Sequence, residues 1–155
     1  MKFEHLVQIN DPLNPLVDPL TRDQLWRGLK RRAEQPAGFV QNLDRAEILS
    51  RDACTLTRVL TFGKLVVRDR VRFVDGVQVR YDIEGSTEVP AATLAVTIEE
   101  PAPEQFFVRF EYDVKAVMGA APRDAYYDEF VKQAYVEADI DAITTIRRLV
   151  SEGAL

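Results

Sequence analysis

The chain of 155 residues carries 20 Lys and Arg against 25 Asp and Glu, a formal net charge of −5, and that balance argues against general nucleic-acid binding, which needs a concentrated basic surface. With 46% hydrophobic and 29% charged residues, residues 1–155 have the makeup of a single globular domain that buries roughly 68–70% of its unfolded surface. One cysteine excludes an internal disulfide; no basic-then-apolar leader and no apolar run near the ~18 residues of a membrane span are visible, so the expected location is the cytoplasm.

In chain order, KFEHLVQIN (2–10) alternates Phe3, His5, Val7 and Ile9 against polar neighbours and predicts a strand. DPLNPLVDPL carries three prolines and reads as an irregular connection. Thr21 with Gln24 three residues on is a capping box, opening a helix through QLWRGLKRRAEQ with Leu25, Trp26 and Leu29 as its apolar stripe. Pro36 ends that helix or turns it into a second short one. Lys30-Arg31-Arg32 near its end reads as cations complementing the helix dipole.

From about residue 43 to 114 the pattern is strand throughout, with reversals at Arg51-Asp52, Gly63-Lys64 and Asp75-Gly76, and with EGSTEVPA and EEPAPE separating the last strands. Six strands joined by short turns form an antiparallel meander. After Gly119-Ala-Ala, Pro122 is placed for a first helical turn. From there to about Val150 neither Gly nor Pro interrupts one long amphipathic helix with Val131, Ala134, Ala138, Ala142, Ile146 and Leu149 on its apolar face.

Turn chemistry registers the hairpins. A two-residue turn at Gly63-Lys64 pairs Phe62 with Leu65, Leu60 with Val67, Arg58 with Asp69 and Leu56 with Val71. A three-residue loop Val74-Asp75-Gly76 then pairs Phe73 with Val77, Val71 with Val79 and Val67 with Ile83, which puts Tyr81 opposite Asp69. Arg58, Asp69 and Tyr81 thereby form a polar row on an otherwise apolar face. It is either a satisfied core pair, because an unpaired buried charge is very costly, or a polar floor that orients a ligand.

Other candidates carry similar alternatives. His5, the only histidine, is a satisfied core residue, a ligand hydrogen-bonder or a general base. Val71, Phe110, Tyr112 and Ala138 are core or cavity wall, and the small Ala134, Ala138 and Ala142 leave space or allow close packing. Cys54 is expected inward, opposite Phe73, as inert packing. Arg68, Arg70, Arg72 and Arg80 alternate outward among Asp82 and Glu84, as a solvated sheet face or a surface for an acidic partner. One His and one Cys without ligand spacing give no metal site, and the absence of GxSxG, GxxxxGK and GxGxxG leaves no cofactor to expect.

The order strand, two short helices, six-stranded meander and long helix, together with QLWRGLKRRAEQP (24–36), LTFGKLVVRDRV (60–71) and EADIDAITTIRRL (137–149), resembles the helix-grip superfamily. That superfamily includes START lipid-transfer domains, plant pathogenesis-related allergens and polyketide cyclases, and the quoted words look like its AtaL-like group. The resemblance implies an α+β domain whose strongly curved sheet wraps the C-terminal helix around a cavity. It implies no catalytic residues, and the glycine-rich loop of the plant allergens has no counterpart near 51–52. Three functions follow as expectations. The first is a binder of a hydrophobic or aromatic small molecule anchored by Arg58, Asp69 and Tyr81. The second is a cyclase, dehydratase or isomerase in which Asp69 or His5 moves protons and Arg58 or Tyr81 stabilises an enolate oxygen. The third is a non-catalytic interaction module, a homodimer among its forms, in which Trp26 would lie exposed in an apolar patch.

Overall fold

The computed structural model describes residues 1–116 and 124–155. The expected position of Pro122 and the Gly119-Ala-Ala spacer lie outside the described residues.

The elements are β1 (Lys2–Gln8), α1 (Arg22–Glu34), a single 3-10 turn (Pro36–Gly38), β2 (Arg45–Arg51), β3 (Thr55–Phe62), β4 (Leu65–Val74), β5 (Gln78–Ile83), β6 (Ala92–Ala102), β7 (Gln105–Val114) and α2 (Ala125–Ser151). The second short helix is thus no more than the turn that Pro36 begins. The strands form one antiparallel sheet in the order β1-β7-β6-β5-β4-β3-β2, so the meander closes by bringing β1 back beside β7. With α2 running beneath it at about 40 Å, this is the helix-grip fold.

Local chemistry sets the ends. The Thr21 hydroxyl accepts from the Gln24 amide while the Gln24 side chain accepts from the Thr21 amide, the capping box read in the sequence. Asp124 caps α2 by accepting from the Tyr127 amide. The irregular connection is tied down by Asn10, whose amide donates to the Leu20 and Glu104 carbonyls and whose oxygen accepts from the Leu20 amide. One buried side chain thereby joins the end of β1, the start of α1 and the β6–β7 turn.

The concave face carries Leu56, Leu60, Val71, Phe73, Val79, Leu94, Val96, Ile98, Phe106, Val108 and Phe110, all buried. Trp26 is buried as well, edge-on to Phe73 at 6.3 Å and 87°, which takes away the exposed aromatic patch that an interaction module would offer. Gly28 is where α1 meets α2: a Cβ there would stand 2.5 Å from Ile146 Cγ2.

The first hairpin pairs as expected, Phe62 with Leu65 through Leu56 with Val71, with Arg58 opposite Asp69. The second is displaced by two residues. Its loop is Asp75-Gly76-Val77, with Gly76 at φ 70° and the Val77 amide closing on the Val74 carbonyl at 2.9 Å. Phe73 therefore pairs with Val79, Val71 with Tyr81 and Asp69 with Ile83. A slip of two preserves parity, so Tyr81 stays on the concave face but sits beside Val71, and Val77 is exposed.

Three further expectations are corrected. Cys54 is exposed, because Asp52 Oδ1 accepts from the Cys54 and Thr55 amides and this Asx turn breaks the alternation before β3 begins. The buried stripe of α2 is Asp139, Ala142, Ile143 and Ile146; it is rotated from the expected one, leaving Ala134 and Ala138 exposed. Arg32, expected to serve the dipole of α1, turns inward.

Candidate functional site

Two buried ionic clusters lie under the sheet. In the first, Arg58 Nε donates to Asp69 Oδ1 at 2.8 Å and Nη2 to Oδ2 at 2.5 Å, a bidentate pair across β3 and β4. Arg58 Nη1 donates to the Ala33 carbonyl at 2.8 Å, satisfying a backbone acceptor in the last turn of α1. The Tyr81 ring lies under the guanidinium at 5.3 Å. So Arg58 and Asp69 pair as expected, whereas Tyr81 is not opposite Asp69: it stands two residues along β5, beside Val71, and meets Arg58 through its ring face.

The second cluster gathers on Asp139, which is fully buried on α2. Its Oδ2 accepts from the Tyr112 hydroxyl at 2.5 Å and lies 2.8 Å from His5 Nε2; its Oδ1 accepts from Arg32 Nη2 at 3.1 Å. His5 stacks on Phe110 at 4.9 Å with an interplanar angle of 8°. Three elements of the sheet-and-helix sandwich (β1, β7 and α1) thus converge on one helical carboxylate. Arg32 Nη1 is buried and has no hydrogen-bond partner among the described residues.

Burial sets the tyrosines. It pushes the Tyr112 hydroxyl far above the usual phenol range, with the Asp139 carboxylate adding to the effect by charge and by hydrogen bond. Burial likewise raises Tyr81, opposed by the charges of Arg32 and Arg58. Both phenols stay protonated, and Tyr112 acts as a donor.

Beside the second cluster opens a cavity of about 870 Å³. Its apolar walls are Ile83, Ala92, Leu94 and Val114 of the sheet, Ala134, Tyr135 and Ala138 of α2, and Phe39 and Val40 after the 3-10 turn; Arg32 and Tyr112 supply polar groups, and Glu137 and Asp141 supply acids. A smaller hollow of about 450 Å³ is bordered by Arg58 and Asp69 but otherwise mostly by outward-facing chains, among them Arg68, Arg70, Arg72 and Glu84. The larger, more apolar space between helix and sheet suits a small organic molecule better.

Of the residues singled out from sequence, Tyr112 and Ala138 line the larger cavity. His5 reaches the polar cluster behind it. Val71 and Phe110 are fully buried in the core. Arg58, Asp69 and Tyr81 are buried outside the cavity lining. Asp139 and Arg32 were missed. Asp139 carries the same signal as Asp69, an acid within an apolar stripe, because Ile143 and Ile146 follow it at helical spacing. Arg32 stands three and seven residues beyond Leu29 and Leu25, on the same inward face.

Among the described residues no cluster of His, Cys, Asp and Glu is suited to a metal ion, and no helix is long and apolar enough to cross a membrane.

Comparison with known proteins fits this geometry. The model of the AtaL family, acetylaranotin biosynthesis cluster protein L, matches residues 7–153. No curated protein matches the chain. Among solved structures, Ara h 8.0201 superposes with a TM-score of 0.65 at 15% identity, covering 96% of this chain and 98% of that one. The Zhui aromatase/cyclase of Streptomyces sp. R1128 gives 0.66 at 15% identity, with 97% and 95% covered. The di-domain aromatase/cyclase StfQ of the steffimycin biosynthetic pathway gives 0.72 at 11% identity; this chain is covered over 99% of its length and spans about half, 52%, of that protein. At these identities the likeness is one of fold.

Proposed function

This chain belongs to the AtaL family, and on that premise we propose that it binds a hydrophobic or aromatic small molecule in the cavity between α2, the sheet and the segment after the 3-10 turn. The observation that carries the reading is the 870 Å³ space walled by Ile83, Leu94, Val114, Phe39 and Ala138, with polar groups of Arg32 and Tyr112 also on its lining. An apolar cavity with a few placed polar groups is the usual form of a small-molecule site. The anchors lie on Arg32 and Tyr112, with Asp139 and His5 behind them; Arg58, Asp69 and Tyr81 support the wall by holding α1 to the sheet.

The test uses an apolar fluorescent probe and native mass spectrometry on freshly purified protein. Saturable binding is expected, and Ala138→Phe, which fills the space from an exposed helix position, weakens it at least tenfold. Non-saturable binding, or binding indifferent to that substitution, rejects the site.

A second reading, an enzyme of cyclase, dehydratase or isomerase type, is favoured by the hydrogen-bonded chain His5–Asp139–Tyr112. In such a chain the carboxylate orients an imidazole for proton transfer, and the Tyr112 hydroxyl, its one proton given to Asp139, holds that carboxylate in place. The aromatase/cyclases of the same fold lend this reading support. A turnover assay on a poly-β-keto substrate separates the two: His5→Gln abolishes turnover but retains affinity in an enzyme, whereas a binder shows no turnover to lose.

A further inference from the structure

The connection between β1 and α1 repeats one word three times: Asp11-Pro12-Leu13, Asn14-Pro15-Leu16 and Asp18-Pro19-Leu20. Its leucines part ways. Leu20 is buried in the core, whereas Leu13 and Leu16 are each 91% exposed. The base of the loop is pinned. Asn10 holds the Leu20 amide and the Leu20 and Glu104 carbonyls, and Arg147 of α2 donates to the carbonyls of Ile9 and Asp18.

The tip is closed on itself. Pro12 and Pro15 have no N–H to satisfy. The Leu13 amide donates to Asp11 Oδ1 and the Leu16 amide to Asn14 Oδ1, both at 3.0 Å. The Asn14 and Val17 amides donate to the Asp11 and Asn14 carbonyls at 3.1 and 3.2 Å. Every backbone N–H from 12 to 17 is therefore met inside the loop. Pro12, Leu13, Pro15 and Leu16 are exposed, and none has a polar side chain.

That combination selects the partner. Unmet amides are what bar irregular backbone from lipid, and this tip has none. A specific protein partner commonly orients an extended loop through its backbone donors or placed charges; this tip offers neither, and a lipid surface asks for neither. Residues 10–20 hold two acids, Asp11 and Asp18, and no Lys or Arg, while Arg147 is committed to carbonyls. Nothing here draws anionic headgroups, so the attraction is apolar.

We propose that this loop is a docking knuckle for a zwitterionic lipid surface, into which Leu13 and Leu16 insert. They reach the boundary of headgroups and acyl chains, where the carbonyls of the tip stay hydrated. Because the turns hold the leucines in place beforehand, docking orders little chain. None of the loop residues lines the large cavity, so docking and small-molecule binding are separate properties.

Flotation of the full chain with phosphatidylcholine vesicles, with and without added phosphatidylserine, tests this at low and at high salt. The native protein floats with phosphatidylcholine alone, and salt does not release it. Leu13→Ser and Leu16→Ser each weaken partitioning about tenfold, and the pair leaves no measurable binding. Phe130→Ser removes another exposed aromatic side chain, 67% exposed and roughly 25 Å along α2 from Arg147, and leaves binding unchanged. Circular dichroism and urea unfolding confirm that each variant is folded. No flotation on phosphatidylcholine, flotation that needs phosphatidylserine and vanishes with salt, or binding indifferent to the leucine pair overturns the inference. So does self-association in sedimentation velocity that the leucine pair abolishes while no vesicle is bound, since the knuckle would then serve a second copy of the chain.

Discussion

Arg58 and Asp69 grip each other through two hydrogen bonds of 2.8 and 2.5 Å beneath β3 and β4, and the same guanidinium holds the Ala33 carbonyl on α1. The pair is a clamp between helix and sheet. Removing one partner strands a buried charge, so Asp69→Ala is expected to cost about 3–5 kcal/mol. Replacing both, Arg58→Met with Asp69→Leu, restores most of that, since a packed apolar pair is often as stable as a buried ion pair. Urea unfolding measures both. A single-variant cost below about 1 kcal/mol would show the pair to be more solvated than its burial implies.

The raised tyrosines make stability fall at alkaline pH. Below pH ~10 the phenols are protonated in the folded and the unfolded chain alike, and their contribution is fully present. Above it the unfolded chain releases protons that Tyr81 and Tyr112 retain when folded, so stability declines by about 1.4 kcal/mol per pH unit for each. Tyr112→Phe therefore flattens the alkaline limb of the stability curve by about half. Phenolate absorbance followed alongside circular dichroism checks this: two tyrosines should titrate only as the fold is lost.

Much of the architecture was legible because its signals are local. Thr21 and Gln24 announce a helix start by chemistry that no neighbour can override, and a Gly63-Lys64 turn leaves one register that keeps Leu56, Leu60, Val67 and Val71 on a common face. The second hairpin was legible in parity alone: a slip of two leaves every side chain on its face, and Gly76 takes a positive φ in the expected loop and in the observed one, so neither signal separates the two registers. The cavity was harder. Asp69 stood out because a strand alternates strictly, whereas Asp139 sits on a helix whose apolar stripe is wide enough to hide one acid. Arg32 lay in a basic run, Lys30-Arg31-Arg32, and only the packing of α1 on α2 turns it toward Asp139.

The cluster on Asp139 should act as a unit. The Tyr112 hydroxyl donates to a fully buried carboxylate at 2.5 Å, so Tyr112→Phe is expected to cost about 1.5–3 kcal/mol, the range for a hydrogen bond to a charged group. In an Asp139→Leu background the same substitution should cost little, because the acceptor is gone. A double-mutant cycle by chemical denaturation gives the coupling directly. Additive costs in that cycle would mean that the hydroxyl and the carboxylate do not interact.

Gly28 fixes how closely α1 approaches α2. In a helix interior a glycine is ordinarily worse than alanine by about 1 kcal/mol, so Gly28→Ala ought to stabilise if space allowed. Here a Cβ would meet Ile146 Cγ2, Cγ1 and Cδ1 at 2.5, 2.7 and 2.9 Å, and Ile146 is itself fully buried, with little room to yield. Overpacking of this kind costs about 1–3 kcal/mol, more than the propensity gain, so the net effect is destabilising. Ile146→Ala in the same chain opens the space, and the pair should then be less destabilised than the sum of the two single changes. Because α2 carries Asp139 and Ala138, the helix displacement forced by Gly28→Ala should also weaken probe binding in the cavity, and Ile146→Ala should restore part of it. A stabilised Gly28→Ala would show that the two helices can part without loss, and that their close approach does not set the cavity wall.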